Sequence, residues 1–261
     1  MRKIAILNTK GGTGKTTLCR NLSSCLVLEN KKRVIMCDGD PQGSLTIASG
    51  YNPDKLNNNL SSLLVKILNK EKIDIRDYIL KTKDSVFLIP GDIYLSKIEL
   101  ALHQVMSREH IFKKGLKQLD NLNFDICLVD SPPFLSLLTI NIMSYVDSVI
   151  IPITPDHLSY RSHTILFESI KEVKENINPD LKILGVLFNK ADKRLSHTLD
   201  VIDFAKKTLE KNTYIFNSII RDNTYIKEAS IKGQSILEYK NNAIGSNDIR
   251  AFTKEFLGRL K

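Results

Sequence analysis

Apolar residues run along this chain in short unbroken blocks, separated by longer segments in which they recur at helical spacing. Blocks of strand length fall at 4–7, 34–37, 86–89, 126–129, 148–153 and 183–188. Most lack polar alternation, which is the pattern of strands buried on both faces of a parallel sheet. Helix-length segments separate them at 15–29, 60–69, 95–119, 157–176 and 194–210. Alternation of this kind predicts an α/β fold: a doubly wound, mostly parallel sheet with helices on both faces. In such a sheet a ligand binds beyond the C-terminal ends of the strands. The loosest stretch, 51–59, holds Pro53 and the asparagines Asn52, Asn57, Asn58 and Asn59, and reads as a surface loop rather than a linker. No repeat or low-complexity tract divides the chain, so residues 1–261 are expected to form a single domain.

Composition narrows the class. A chain of 261 residues with 42% hydrophobic content can bury the core of one large α/β domain. Its apolar runs, 148–153 among them, are far too short to span a bilayer, and the N-terminus enters a strand with no signal-peptide core, so a cytoplasmic location is expected. Cys19, Cys25, Cys37 and Cys127 sit inside helix or strand patterns and form no Cys-x-x-Cys pair, which fits reduced, buried thiols rather than a disulfide framework or metal site. With 38 Lys+Arg against 29 Asp+Glu the formal charge is +9, which favours polyanionic partners.

The chemistry is concentrated just after the first strand. Lys10, Gly11, Gly12, Thr13, Gly14, Lys15, Thr16 and Thr17 follow one another there, and the helical spacing continues through Leu18, Leu22 and Leu26. Glycines let the backbone curl until successive N–H groups point inward at phosphate oxygens, and a helix start adds free N–H groups and partial positive charge. Lys15 is then placed to reach the β- and γ-phosphates, and the Thr16 hydroxyl to ligate Mg²⁺. Two other strands end in acids: Asp38 and Asp40 after 34–37, and Asp130 after 126–129. Carboxylates at strand ends beside a phosphate loop are what Mg²⁺ and a hydrolytic water require, and Thr16, Asp40 and Asp130 are the expected metal set.

These three segments together resemble the ParA/MinD family of deviant Walker A ATPases, and most closely its ParA/Soj branch. The family's Lys-Gly-Gly-x-Gly-Lys-Thr-Thr is met by Lys10 to Thr17, its Asp-x-Asp-Pro-Gln-Gly-Ser by Asp38 to Ser44, and its Asp-x-Pro-Pro by Asp130 to Pro133. Ile220, Arg221, Glu228, Ala229, Gly233 to Ile236 and Tyr239 also follow the family's order. The resemblance implies a deviant P-loop fold, ATP and Mg²⁺, and an ATP-dependent sandwich dimer with slow, partner-stimulated hydrolysis. It gives Lys10 the role of a signature lysine that crosses the dimer interface to the other subunit's phosphates. Asp40 positions or activates the attacking water, Asp38 supports the metal and water network, and Asp130 holds Mg²⁺ through water. Asn189 corresponds to an adenine-contacting asparagine.

The same resemblance implies non-specific DNA binding in the service of plasmid or chromosome partitioning, with nucleoid association in the ATP state and a ParB-like or other centromere- or cargo-binding partner. Arg194, Arg221 and Lys227 are the candidate DNA contacts, although the spacing of the last departs from the family by one residue. A MinD-like membrane regulator, or positioning of another cargo, is the alternative. Ile249, Phe252, Phe256 and Leu260 line one helical face that a membrane-targeting helix could present, but mixed charges favour a helix packed on the sheet. With strand one starting at residue 2 or 3, no N-terminal helix-turn-helix domain is expected. The related nitrogenase iron protein needs cluster cysteines beyond the second and third motifs, and no cysteine follows Asp130.

Overall fold

The computed structural model describes residues 1–155, 160–192 and 213–260, together with 201–203, 205, 207 and 209. The chain begins with β1 (Arg2–Ile6), α1 (Lys15–Leu28), β2 (Val34–Asp38), α2 (Ser44–Ala48) and α3 (Leu60–Leu68). It continues through β3 (Leu80–Lys81), β4 (Phe87–Ile89), α4 (Leu95–Leu102), α5 (Ile111–Leu116), β5 (Ile126–Asp130) and α6 (Leu137–Tyr145). Then come β6 (Ser148–Ile153), α7 (Tyr160–Asn176), β7 (Lys182–Ala191), β8 (Ile215–Arg221), α8 (Thr224–Ile231), α9 (Ile236–Tyr239) and α10 (Ile244–Arg259).

The strands form one eight-stranded sheet in the order β3-β4-β2-β5-β1-β6-β7-β8. Its pairings are parallel except for β3 with β4, so the expected doubly wound α/β architecture is what the chain adopts. The unbroken apolar blocks have a direct cause in the packing. Ala5, Ile35, Cys37 and Val129 face one core, together with Leu63 of α3 and Leu166 of α7. Their neighbours Ile4, Ile6, Val34, Met36 and Leu128 face a second core with Leu18, Leu22 and Leu26 of α1. Successive side chains of a strand point to opposite faces, and both faces here are covered.

The C-terminal helix packs on the sheet as its apolar face predicts. Ile249, Phe252 and Phe256 are buried in the second core, and Phe252 meets Phe216 of β8 edge to face at 5.0 Å between centroids. Each such side chain contributes ~2 kcal/mol by leaving water, which ties α10 to the sheet. All four cysteines are buried free thiols, and burial pushes the Cys127 thiol up to about 12.

Three elements differ from the sequence pattern. The expected helix 95–119 is broken: α4 ends at Leu102, Ser107 adopts a left-handed φ of 52°, and α5 starts again at Ile111. The edge strand β8 and the two-residue β3 have no long apolar block, because an edge strand pairs and packs on fewer sides. The expected segment 157–176 is helical from Tyr160, with 157–159 outside the described residues, and most of 194–210 also lies outside them.

Candidate functional site

β1 lies between β5 and β6, at the point where the strand order reverses, so the loop leaving its C-terminal end opens into a crevice. Asn8 sets that loop's entry: its Nδ2 donates to the carbonyl of Pro152 at 2.7 Å, and its Oδ1 accepts from Lys10 N at 2.9 Å. The turn then uses left-handed backbone at Gly12 (φ 78°) and Gly14 (φ 83°). At Gly14 space is as restrictive as conformation, since a Cβ there would sit 2.4 Å from Nδ2 of Asn189. That amide is already committed, donating to the carbonyl of Thr13 at 2.8 Å. Beside it, Nζ of Lys190 donates to the carbonyl of Gly12 at 2.7 Å.

Helix α1 starts at Lys15 with no side-chain cap and no acid in its first turn, so its first N–H groups remain open toward the crevice. Lys15 is 7% exposed and donates to no described residue. Burial lowers its affinity for a proton, while the nearby charges of Asp130 and Asp40 work in the opposite direction. A lysine so desolvated and flanked is poised to gain from an incoming polyanion.

The acids arrive from β2 and β5, which pair in register with Asp38 opposite Asp130. Asp130 is fully buried: its Oδ2 accepts from the Thr16 hydroxyl at 2.6 Å, and its Oδ1 has no hydrogen-bond partner among the described residues. Burial, and after it the neighbouring Asp38, pushes Asp130 up to about 8. Burial likewise raises Asp38 to about 6, against the pull of hydrogen bonds from Thr46. Those bonds show where Asp38 points: Oδ2 accepts from Thr46 N at 2.8 Å and from its hydroxyl at 2.7 Å. Asp38 therefore caps the first turn of α2, and its link to the rest of the site is a long 3.4 Å bond accepted from Asp40 N. Asp40, 7% exposed, accepts from Gln42 N at 2.9 Å, and burial raises its pKa while Lys15 opposes the rise.

The residues fit a magnesium ion. An orphaned carboxylate oxygen on Asp130 lies next to a hydroxyl that already reaches the same carboxylate, and Mg²⁺ takes hard oxygen ligands. Among the described residues no group of three His, Cys, Asp or Glu could hold a metal alone. The ion would therefore depend on Thr16 and on oxygens of a bound nucleotide and water, the usual arrangement for Mg²⁺.

Lys10 stands at the rim, half-buried, with its ammonium in no hydrogen bond or ion pair among the described residues. On the other side of the loop, Thr17, Asn189, Lys190, Ile220 and Ile226 line a cavity of about 270 Å³. Arg221 and Lys227 line it too. There Arg221 is paired with Asp248 through two bonds, Nε–Oδ2 at 2.8 Å and a second at 2.5 Å, and the exposed Lys227 pairs with Asp222 at 2.9 Å. Arg194 lies outside the described residues. Asn8, Thr46 and Lys190 are site residues that the sequence motifs do not mark. A polar residue directly after a strand is the one signal Asn8 offered, and Thr46 offered none.

The family model described as an AAA domain matches residues 1–183. The sporulation initiation inhibitor protein Soj of Bacillus subtilis strain 168 is 33% identical over 253 residues, 97% of this chain and 96% of that protein. The chromosome partitioning protein ParA of Caulobacter vibrioides is 29% identical over 261 residues, covering 99% and 95%. Among solved structures, the cobyrinic acid a,c-diamide synthase of Mycobacterium smegmatis with bound ADP and magnesium superposes with a TM-score of 0.85 at 28% identity, covering 100% of this chain and 95% of that one. The same protein is also solved with an ATP analogue and magnesium.

Proposed function

Since the chain belongs to the AAA-domain ATPases and, among them, to the Soj/ParA partitioning family, we propose that it is an ATP-gated switch that dimerises around nucleotide, binds DNA without sequence preference and hydrolyses ATP slowly. The observation that carries the dimer is Lys10. Its ammonium stands beside a phosphate loop that already has Lys15, yet it serves no partner within its own described chain. A cation presented in this way fits the phosphates of a second subunit, where it would offset charge building on the transferring phosphoryl group.

Within one subunit the roles divide by geometry. The N–H groups of the loop and of the first turn of α1 hold the phosphates, and Lys15 neutralises them in a dry environment. Asp40 is the acid nearest solvent with a free oxygen, and it orients the attacking water and accepts its proton. Asp38, held by Thr46, keeps the segment carrying Asp40 in place. Thr16 and Asp130 would hold magnesium, which would offset negative charge on the nucleotide's phosphates.

DNA binding rests on the +9 charge and on the exposed lysines Lys227, Lys232 and Lys240 along α8 and after it. Phosphate contacts need positive charge on one face and no base readout. The stimulating partner is a ParB-like or cargo-binding protein, and the chain 1–261 acts as one ATPase domain, nucleoid-bound in its ATP state. Burial of Ile249, Phe252 and Phe256 removes the apolar face a membrane anchor would need, and no helix among the described residues is long and apolar enough to cross a membrane.

The test compares wild type with Lys10→Ala in light scattering and in ATP hydrolysis, with and without non-specific duplex DNA. Wild type should dimerise with ATP and hydrolyse faster on DNA with partner present, and Lys10→Ala should do neither. A Lys10→Ala protein that dimerises and is stimulated normally would remove Lys10 from the interface.

A further inference from the structure

Two consecutive residues of β7 reach across to the phosphate loop and take hold of two consecutive carbonyls. Asn189 Nδ2 donates to the carbonyl of Thr13 at 2.8 Å, and Lys190 Nζ donates to the carbonyl of Gly12 at 2.7 Å. In a trans peptide the C=O of one residue and the N–H of the next point in opposite directions. Drawing the Gly12 carbonyl toward β7 therefore turns the N–H of Thr13 to the other side, and drawing the Thr13 carbonyl does the same for the N–H of Gly14. Those two N–H groups belong to the stretch whose inward orientation makes a phosphate cradle.

Lys190 is held to this task at a cost in backbone energy. Its φ of 54° is a left-handed conformation unfavourable for a residue with a Cβ. The strain is supported locally by Asn189, whose Oδ1 accepts the Lys190 N–H at 3.0 Å. Its stem crosses directly behind Gly14, where Cε would lie 3.3 Å from an added Cβ. No other described cation touches the loop's carbonyls.

We propose that Lys190 is a positioning residue for nucleotide binding, which fixes the Thr13 N–H toward the phosphates by holding the Gly12 carbonyl away from them. The assignment rests on the nucleotide-site reading of the loop. It differs from Lys15 and Lys10 in kind, because Lys190 acts on the protein's own backbone and not on the phosphoryl group. A lysine suits the place: its length spans from β7 to the loop, and its charge adds to the field that attracts the anion instead of opposing it.

The experiment measures dissociation constants for ADP by a fluorescent analogue, and for inorganic tripolyphosphate by competition, on wild type, Lys190→Met and Lys190→Arg. Methionine keeps the stem and removes the donor. It should weaken ADP and tripolyphosphate alike, by about 3- to 10-fold, the worth of one lost hydrogen bond, with the nucleotide-free unfolding midpoint unchanged. Arginine should restore most of the affinity. Unchanged ADP affinity in Lys190→Met would overturn the proposal, and so would a loss confined to ADP, which would place Lys190 against the base and not the loop. Failure of the wild type to bind either probe would instead overturn the reading of the loop as a nucleotide site.

Discussion

The hydroxyl of Thr16 donates to Oδ2 of Asp130 across 2.6 Å, joining the first turn of α1 to the end of β5. The carboxylate's other oxygen is buried without a partner among the described residues, which leaves it open to a cation or donor.

Burial of Asp130 and Asp38 makes nucleotide-free stability depend on pH. Asp130 is pushed up to about 8 and Asp38 to about 6, both chiefly by burial. The folded protein thus holds more protons than the unfolded chain from the ordinary carboxylate range up to those values, and stability falls as pH rises through that window. Urea midpoints of wild type should decline between about pH 5 and about pH 8. Asp130→Asn, neutral and of the same shape, should be more stable than wild type at the upper end and flatter across the range. A wild type that gains stability over this range contradicts the assignment.

Asp40 lies near Lys15, and among the described residues its carboxylate accepts only from the Gln42 N–H, leaving an oxygen for water. Asp40→Ala should keep ATP binding and lose hydrolysis by about 10²- to 10⁴-fold, the usual contribution of a positioned acid–base group. The variant should accumulate as an ATP-bound dimer, read by size-exclusion with light scattering. Normal turnover would take Asp40 out of the reaction.

Arg20 projects from α1, one helical turn beyond the phosphate loop, into a buried pair with Asp84 at 2.7 Å, and it also meets Glu238 at 2.9 Å. Burial alone would raise Asp84, but the Arg20 charge and hydrogen bonds prevail and hold it below the ordinary carboxylate range. Asp84→Ala leaves a guanidinium buried with only part of its compensation and should cost ~3–5 kcal/mol in chemical denaturation. Replacing both partners, Arg20→Met with Asp84→Leu, should recover much of that loss. Equal damage from the single and double variants would mean that packing, not charge, sets the cost.

Phe252 is fully buried in the second core, against Phe216 of β8. Phe252→Ala should destabilise the fold by ~3–5 kcal/mol, as for other large-to-small core changes. Wild type loaded with ATP should stay in the supernatant when anionic liposomes are sedimented. Co-sedimentation at wild-type stability would show that α10 leaves the sheet for a membrane.

The sequence by itself determined the fold class and the phosphate loop. Both are written in contiguous residues: apolar blocks buried on two faces produce strands, and one run from Lys10 to Thr17 contains turn, cation, hydroxyl and helix start. Tertiary structure decided what depends on residues far apart in the chain. Only pairing of β2 with β5 sets Asp38 opposite Asp130, and only the position of α2 turns Asp38 toward Thr46. Only the route of the chain to β7 brings Asn189 and Lys190 onto carbonyls 176 and 178 residues earlier. Arg221 becomes half of an ion pair with Asp248 for the same reason. Periodicity and local turns are properties of neighbouring residues, whereas hydrogen-bond partners are chosen by distances that exist only after the sheet has assembled.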